Sequence, residues 1–405
     1  MIGRGARATL VALVALAAGA GSEPADAAAA AGQAVTFQGD VAHSGFVSEH
    51  GLNPPLRRRW QHRFPGEISY PVLGGGNVFV TAWDGPQNGY SRHALLVALS
   101  AASGKLRWQR DLGDTFGAVP AYDDGRVYVS IGPGGAEPML AAFSAADGSP
   151  LWSHPFLNGG GSPPVAQGGV VFAGDADGFG AYRGSDGSPL WRVVADDSND
   201  LDGGGAALSA DAVYPAARCP LALGRSDGGV IWQPPDACRD QVSTPALAGG
   251  RLYLRNDFAA APGFVLDAGT GALVRPLRAD YAPAFTSNGL GLFPDEQHTG
   301  TDFQAGHALV ARSLSGGRKR WAFRGDGYLD SAPLVVNRTA YVGSGSGRIY
   351  GLSLRSGRPT WRVDLGDPVP GPQELGQILS GLAAGNGMLL VPALGRLVAY
   401  RGSGR

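Results

Sequence analysis

Across 405 residues, 33 Lys and Arg face 34 Asp and Glu for a formal charge of −1, which removes any general electrostatic attraction for nucleic acid or an anionic membrane. Sixty-five Gly and 29 Pro would mark a disordered chain, unless they recur at fixed offsets as turn residues. They do recur, and the recurrence sets the architecture.

The chain opens with MIGRGARATLVALVALAAGAGSEPADA, in which Arg4 and Arg7 precede an apolar run from Thr9 to Gly21 and small residues through Ala25-Asp26-Ala27. That is the pattern of a secretory leader, and the run is too short to cross a bilayer comfortably. Residues 1–27 are therefore expected to be a signal peptide, giving an extracytoplasmic protein with no membrane span. Neither cysteine lies near the cleavage region to carry a lipid. Residues 28–53 read as a polar, irregular N-terminal extension, with Asp40 and His43 expected to tether it across a turn or at a seam.

From residue 54 onward one unit returns. Gly104, Gly148, Gly187, Gly228, Gly317 and Gly357 each stand four residues before a tryptophan: Trp108, Trp152, Trp191, Trp232, Trp321 and Trp361. Gly271 heads a seventh copy in which Arg275 takes the tryptophan position. Successive positions are 44, 39, 41, 43, 46 and 40 residues apart, and a period near forty marks a repeat array. Within each unit, alternating runs such as RVYVSI and RLYLRN are bounded by Gly and Asp, which are strand and hairpin signals. No stretch carries a helical period long enough to compete. Four strands per unit without helices predict a β-propeller, whose radial repetition leaves only short, protected edges.

The two ends of the array give the blade count. LVAYRGSGR (397–405) repeats the start of the hairpin and stops one strand short, while PPLRRRWQHRF (54–64) supplies a Trp60 strand with no hairpin before it. Pairing them makes an eighth blade, so residues 54–405 are expected to form a single all-β, eight-bladed propeller, its ring closed by the N-terminal strand. Each repeat tryptophan, Trp60 included, is expected to wedge between neighbouring blades. The basic runs 57–59 and 318–320 fall on proposed outer strands, where charge blunts an exposed edge.

Cys219 and Cys238 are the only cysteines. An even pair in an exported chain reads as a disulfide, and the midpoint of the two falls at the fourth hairpin turn, which sets them opposite each other across an antiparallel pair. No His accompanies them at ligand spacing, so no metal is expected there.

Loops between second and third strands and between blades share one face of a propeller, and the long segments of this chain (81–94, 195–205, 294–307 and 366–380) all belong to that class. Insertions confined to one face mark a binding face, with Trp83, Tyr90, His93, Asp295, Glu296, His298 and His307 as candidate contacts. Trp83 and Tyr90 are the stacking platforms a carbohydrate would need. Asp196, Asp197, Asp200 and Asp202 offer oxygens to Ca²⁺ but lack the distal Glu and Gly of a calcium loop, which favours a solvated acidic loop. His93, His298 and His307 come from blades too far apart to share a metal. Nucleophile-elbow, zinc-protease and phosphate-loop motifs are absent.

The unit A-x-x-x-x-x-G-x-x-x-W resembles the pyrroloquinoline-quinone (PQQ)-like propeller repeat, from about Phe37 to Arg405. The Asp that this family carries two residues after the Ala survives only at Asp267, with Ser100, Ser144, Arg183, Gly224, Ser313, Ser353 and Arg401 elsewhere. The quinone-dependent dehydrogenases of this family stack their cofactor on bonded neighbouring cysteines beside a Ca²⁺ site and an Asp base. This chain has no Cys-Cys pair, so the resemblance carries over no catalytic residue. It implies instead a kinship with the non-enzymatic exported members, among them the propeller of the outer-membrane assembly machinery. The expectation is a monomeric scaffold without PQQ, Ca²⁺ or another cofactor, binding a protein, cell-envelope or glycan ligand; a quinone-dependent oxidoreductase is the alternative.

Overall fold

The computed structural model describes residues 32–403 except 89–90, 116, 133, 135–136, 157–160, 176, 195–203, 235–237, 239–242, 256–261, 280, 296–307 and 372–379. Residues 1–27, expected as a signal peptide, and the Asp196–Asp202 segment therefore lie outside the described residues. Those described are all-β without an α-helix, and no helix among them is long and apolar enough to cross a membrane.

Eight antiparallel sheets of four strands, each in meander order, stand in a ring. Blade 1 spans Val72 to Thr115, blade 2 Ala118 to Pro155, blade 3 Val165 to Val194 and blade 4 Ala206 to Trp232. Blade 5 spans Ala246 to Leu277, blade 6 Ala284 to Phe323 and blade 7 Leu334 to Asp364. Blade 8 joins Ala383–Gly385, Met388–Ala393 and Arg396–Gly402 to Leu56–Arg63, with Trp60 opposite Ala399 and Gln61 opposite Val398. The ring is thus sealed by the two ends of the array, and the predicted count of eight holds.

Burial follows the radius. The second strand of blade 2, RVYVSI, is buried at five of six positions because a neighbouring blade covers each face. The outermost strand of blade 7, PTWRVD, alternates between exposed and half-buried. In every blade the pairing of third and fourth strands slips by one residue beside the repeat position, as between Ala181 and Tyr182 opposite Trp191. Such a bulge re-aims a side chain, and here the recipient is the next blade. A Cβ on Gly104 would lie 2.5 Å from the ring of Trp60, and one on Gly228 2.6 Å from that of Trp191. Both glycines also hold positive φ, so no other residue suits the turn that receives the indole. Each indole N–H finishes the contact by donating to a backbone carbonyl of that next blade: Trp60 to Ala101 (2.8 Å), Trp191 to Arg225 (3.1 Å) and Trp232 to Ala268 (2.9 Å). Trp361 closes the circle by donating to Leu56.

The innermost strand of a blade has one edge facing the axis, and its free N–H groups need acceptors. The N-terminal extension supplies them. The carbonyl of Ala34 accepts from Leu73 of blade 1, Val35 from Tyr122 of blade 2, Val41 from Leu208 of blade 4 and Ala42 from Leu247 of blade 5. Ser44 then accepts from Phe285 of blade 6 and Gly45 from Val335 of blade 7. Phe46–Val47 adds a parallel strand to blade 7. Glu49 returns to the start, its carboxylate accepting from Gly387 of blade 8, beside Gly32. Residues 32–49 therefore form a belt that runs once around the inside of the ring, meeting the blades in order.

From that belt the turn Thr36–Gly39 rises into the axis. Phe37 is 1% exposed and packs on Tyr70, ring centroids 5.5 Å apart. Gln38 Nε2 reaches the carbonyls of Ala282, Pro283 and Pro333 at 3.3–3.4 Å. Asp40 holds the next turn by accepting from the backbone of Ala42 and Ser44 and from the Ser44 hydroxyl. The tether expected of Asp40 and His43 is in place, on the inner side of the ring, where His43 bonds the carbonyl of Pro245.

Candidate functional site

The long-loop face differs from its expected form. Most of segment 81–94 belongs to two paired strands, Asn77–Asn88 and Ser91–Ser100, with a register shift between Asp84 and Asn88. Trp83 is 2% exposed and belongs to the core shared with Phe79, Leu96 and Trp108, so its ring offers no stacking platform. The alternation of NVFVTAW continues straight through Thr81, and that period outweighs the Gly and Pro that follow. Tyr90, Glu296, His298 and His307 lie outside the described residues, and of Asp295 only the backbone is described, at a strand end.

His93 sits on the hairpin with a carboxylate on each side. Its Nδ1 lies 2.6 Å from Asp84 and its Nε2 3.0 Å from Asp111. The hydrogen bond to Asp84, with the charge of Asp111 added, holds the imidazole above its ordinary value. A folded value raised above the unfolded one stabilises fully below the unfolded pKa and loses that contribution as pH rises through the folded value. An NMR titration of His93 is expected to show a midpoint above 6.5, and Asp84→Asn to lower it. No group of three or more His, Cys, Asp or Glu among the described residues is arranged to hold a metal.

Cys219 and Cys238 are bonded to each other across blade 4. Thiol labelling of non-reduced protein is expected to find no reactive group, and reduction to cost about 3 kcal/mol for a loop of this length.

The rim carries a pattern that the sequence reading passed over. The residue just before the repeat position is Leu151, Leu190, Ile231 and Val274 in blades 2–5, but Arg320, Thr360, Arg59 and Arg107 in blades 6, 7, 8 and 1. All eight occupy the same place on an outermost strand. The four apolar ones are 43–51% exposed, joined by Val194, Val230 and Leu273 at 57–74%. Blades 2–5 thus each set an exposed aliphatic residue at this rim position where blades 6, 8 and 1 set Arg, although blade 1 also exposes Leu106, 50%, two residues before Trp108. The signal was legible in the residue before each tryptophan, which alternation alone assigns to solvent.

The family model described as outer membrane protein assembly factor BamB matches residues 50–178, 92–256 and 222–405, overlapping stretches that together take in all eight blades. The chain belongs to the BamB family. BamB from Moraxella catarrhalis superposes with a TM-score of 0.61 at 15% identity, over 85% of this chain and 99% of that one. The quinohemoprotein alcohol dehydrogenase of Comamonas testosteroni gives 0.67 at 13% identity, over 92% and 81%. At such identities the shared property is the propeller itself. A polyvinylalcohol dehydrogenase from a Pseudomonas species is 31% identical over 213 residues, which is 46% of this chain and 29% of that protein. The chain thus spans less than a third of the length of that relative.

Proposed function

We propose that this protein is an exported, non-catalytic propeller that serves as a docking scaffold for a protein of the cell envelope, gripped along the rim of blades 2–5. The observation that carries this reading is the apolar band of Leu151, Leu190, Ile231 and Val274, set at a position where blades 6, 8 and 1 carry Arg. A partner in the envelope accords with the leader-like Met1–Ala27 and with the family description of an outer-membrane assembly factor. The belt supports it too. By filling the axis with Phe37 and Gln38 it leaves the outer surfaces as the places for recognition.

The second reading, a quinone-dependent oxidoreductase, draws on the likeness to polyvinylalcohol dehydrogenase. The residues present do not fit the quinone of the family's enzymes, which rests on bonded neighbouring cysteines. Here the two cysteines are 19 residues apart and joined across one blade.

The test replaces Leu151, Leu190, Ile231 and Val274 together with Arg, the residue that three other blades already carry there. The variant is expected to keep the parent's unfolding midpoint while losing a partner that the parent cross-links in an envelope fraction. Equal cross-linking by both proteins, or dye reduction by parent with quinone, Ca²⁺ and an alcohol, would overturn the reading.

A further inference from the structure

One seam of the ring lacks its wedge. At six hairpins (Gly104, Gly148, Gly187, Gly228, Gly271 and Gly357) an added Cβ would meet the indole of the preceding blade at 2.5–2.6 Å, whereas at Gly317 nothing lies within 4 Å. The preceding blade is blade 5, where Arg275 stands at the repeat position opposite Val265, just as Trp108 stands opposite Ala98. The space between blades 5 and 6 is a half-open cavity of about 210 Å³. Its walls are Leu277, Phe293, the bare turn at Gly317 and the side chains of Arg275, Arg278 and Arg312, with no carboxylate among the described lining residues.

Each feature points to a ligand class. In the equivalent seams the space over the glycine turn holds a flat aromatic ring, and over Gly317 that space is open. The Arg275 guanidinium stands 6.0 Å over the Phe293 ring; Nη1 donates to the carbonyl of Pro276 at 3.4 Å, and the remaining N–H groups can meet a planar anion. Arg278, exposed at the mouth, adds a second positive charge. Arg312 has a partner of its own and enters the argument only as a wall. Guanidinium groups recognise carboxylates through paired, charge-assisted hydrogen bonds.

We propose that the seam between blades 5 and 6 is a binding site for a small planar aromatic carboxylate, its ring seated on Gly317 where an indole lies in the other seams and its carboxylate held by Arg275 and Arg278. The site is separate from the rim and stands or falls independently of the docking reading. The blades still meet at this seam without an indole, since Leu277, Phe285 and Phe293 share one buried cluster with Tyr253 and Val265.

Indole-3-acetate is the probe, measured by calorimetry against the whole protein. Saturable one-to-one binding with a Kd of about 1 mM or tighter is expected for a ligand of this size. The neutral analogue indole-3-ethanol is expected to bind about tenfold more weakly for want of the carboxylate. Arg275→Trp restores the residue of the other seams, and so is expected to fill the slot and abolish binding. Arg278→Glu, at an exposed position, leaves the cavity open and is expected to weaken binding about tenfold or more. Absence of saturable binding by parent, equal binding of the neutral analogue, or undiminished binding by Arg278→Glu would each overturn the proposal. If Arg275→Trp folds, undiminished binding by it would do so as well.

Discussion

Trp191→Ala is expected to lower the stability of the protein by about 3–5 kcal/mol, read as a fall in the urea midpoint at unchanged slope. The indole does three things at the seam between blades 3 and 4. It covers the turn at Gly228, donates to the carbonyl of Arg225, and packs on Phe172 and Phe179 with ring centroids 6.0 and 6.4 Å away. Truncation removes the packing and the hydrogen bond together and opens a void that the rigid hairpins on either side cannot close. A midpoint equal to the parent's would show that the wedge contributes nothing.

Acid should act through the axis. His43 is fully buried, its Nδ1–H donating to the carbonyl of Pro245 at 3.0 Å, and burial pulls the imidazole down to about 4. The unfolded chain takes up a proton near 6.5, so the folded state is penalised progressively as pH falls from there to about 4. The two values are about 2.5 units apart, which amounts to about 3 kcal/mol in all. His43→Asn keeps an N–H for Pro245 but cannot titrate, and is expected to remove that part of the acid loss. Denaturation series at pH 7, 6, 5 and 4 on both proteins give the comparison, and equal slopes for the two would refute the assignment.

What was legible in the chain was whatever repeats. Glycine four residues before tryptophan is a local requirement, met separately at every seam, and its regularity was enough to count blades and to pair Trp60 with the strand at Val398. The disulfide was legible for a similar reason, because a hairpin sets its two flanks opposite each other. The belt was not. Its hold on the ring comes from the backbone carbonyls of Ala34, Val35, Val41, Ala42, Ser44 and Gly45, and a carbonyl is the same in every residue, so nothing in the side chains announces it. Trp83 falls in segment 81–94, read as a long loop, whereas the pairing that begins at Asn77 runs unbroken to Asp84 and takes Trp83 into the sheet opposite Ala94. The empty seam at Gly317 was visible as Arg275 in the repeat. That this substitution leaves room for a ligand required the coordinates.

Most repeat arrays have loose ends, and terminal units can melt while the interior persists. Here the last strand of the array is paired with the first, and a single stretch of eighteen residues, 32–49, touches sheets all the way round. To release any one sheet is to loosen a hoop shared by the others. Partial melting is accordingly penalised at every point of the circumference, and heat or denaturant is expected to unfold the ring in one transition, with the same midpoint by fluorescence and by circular dichroism.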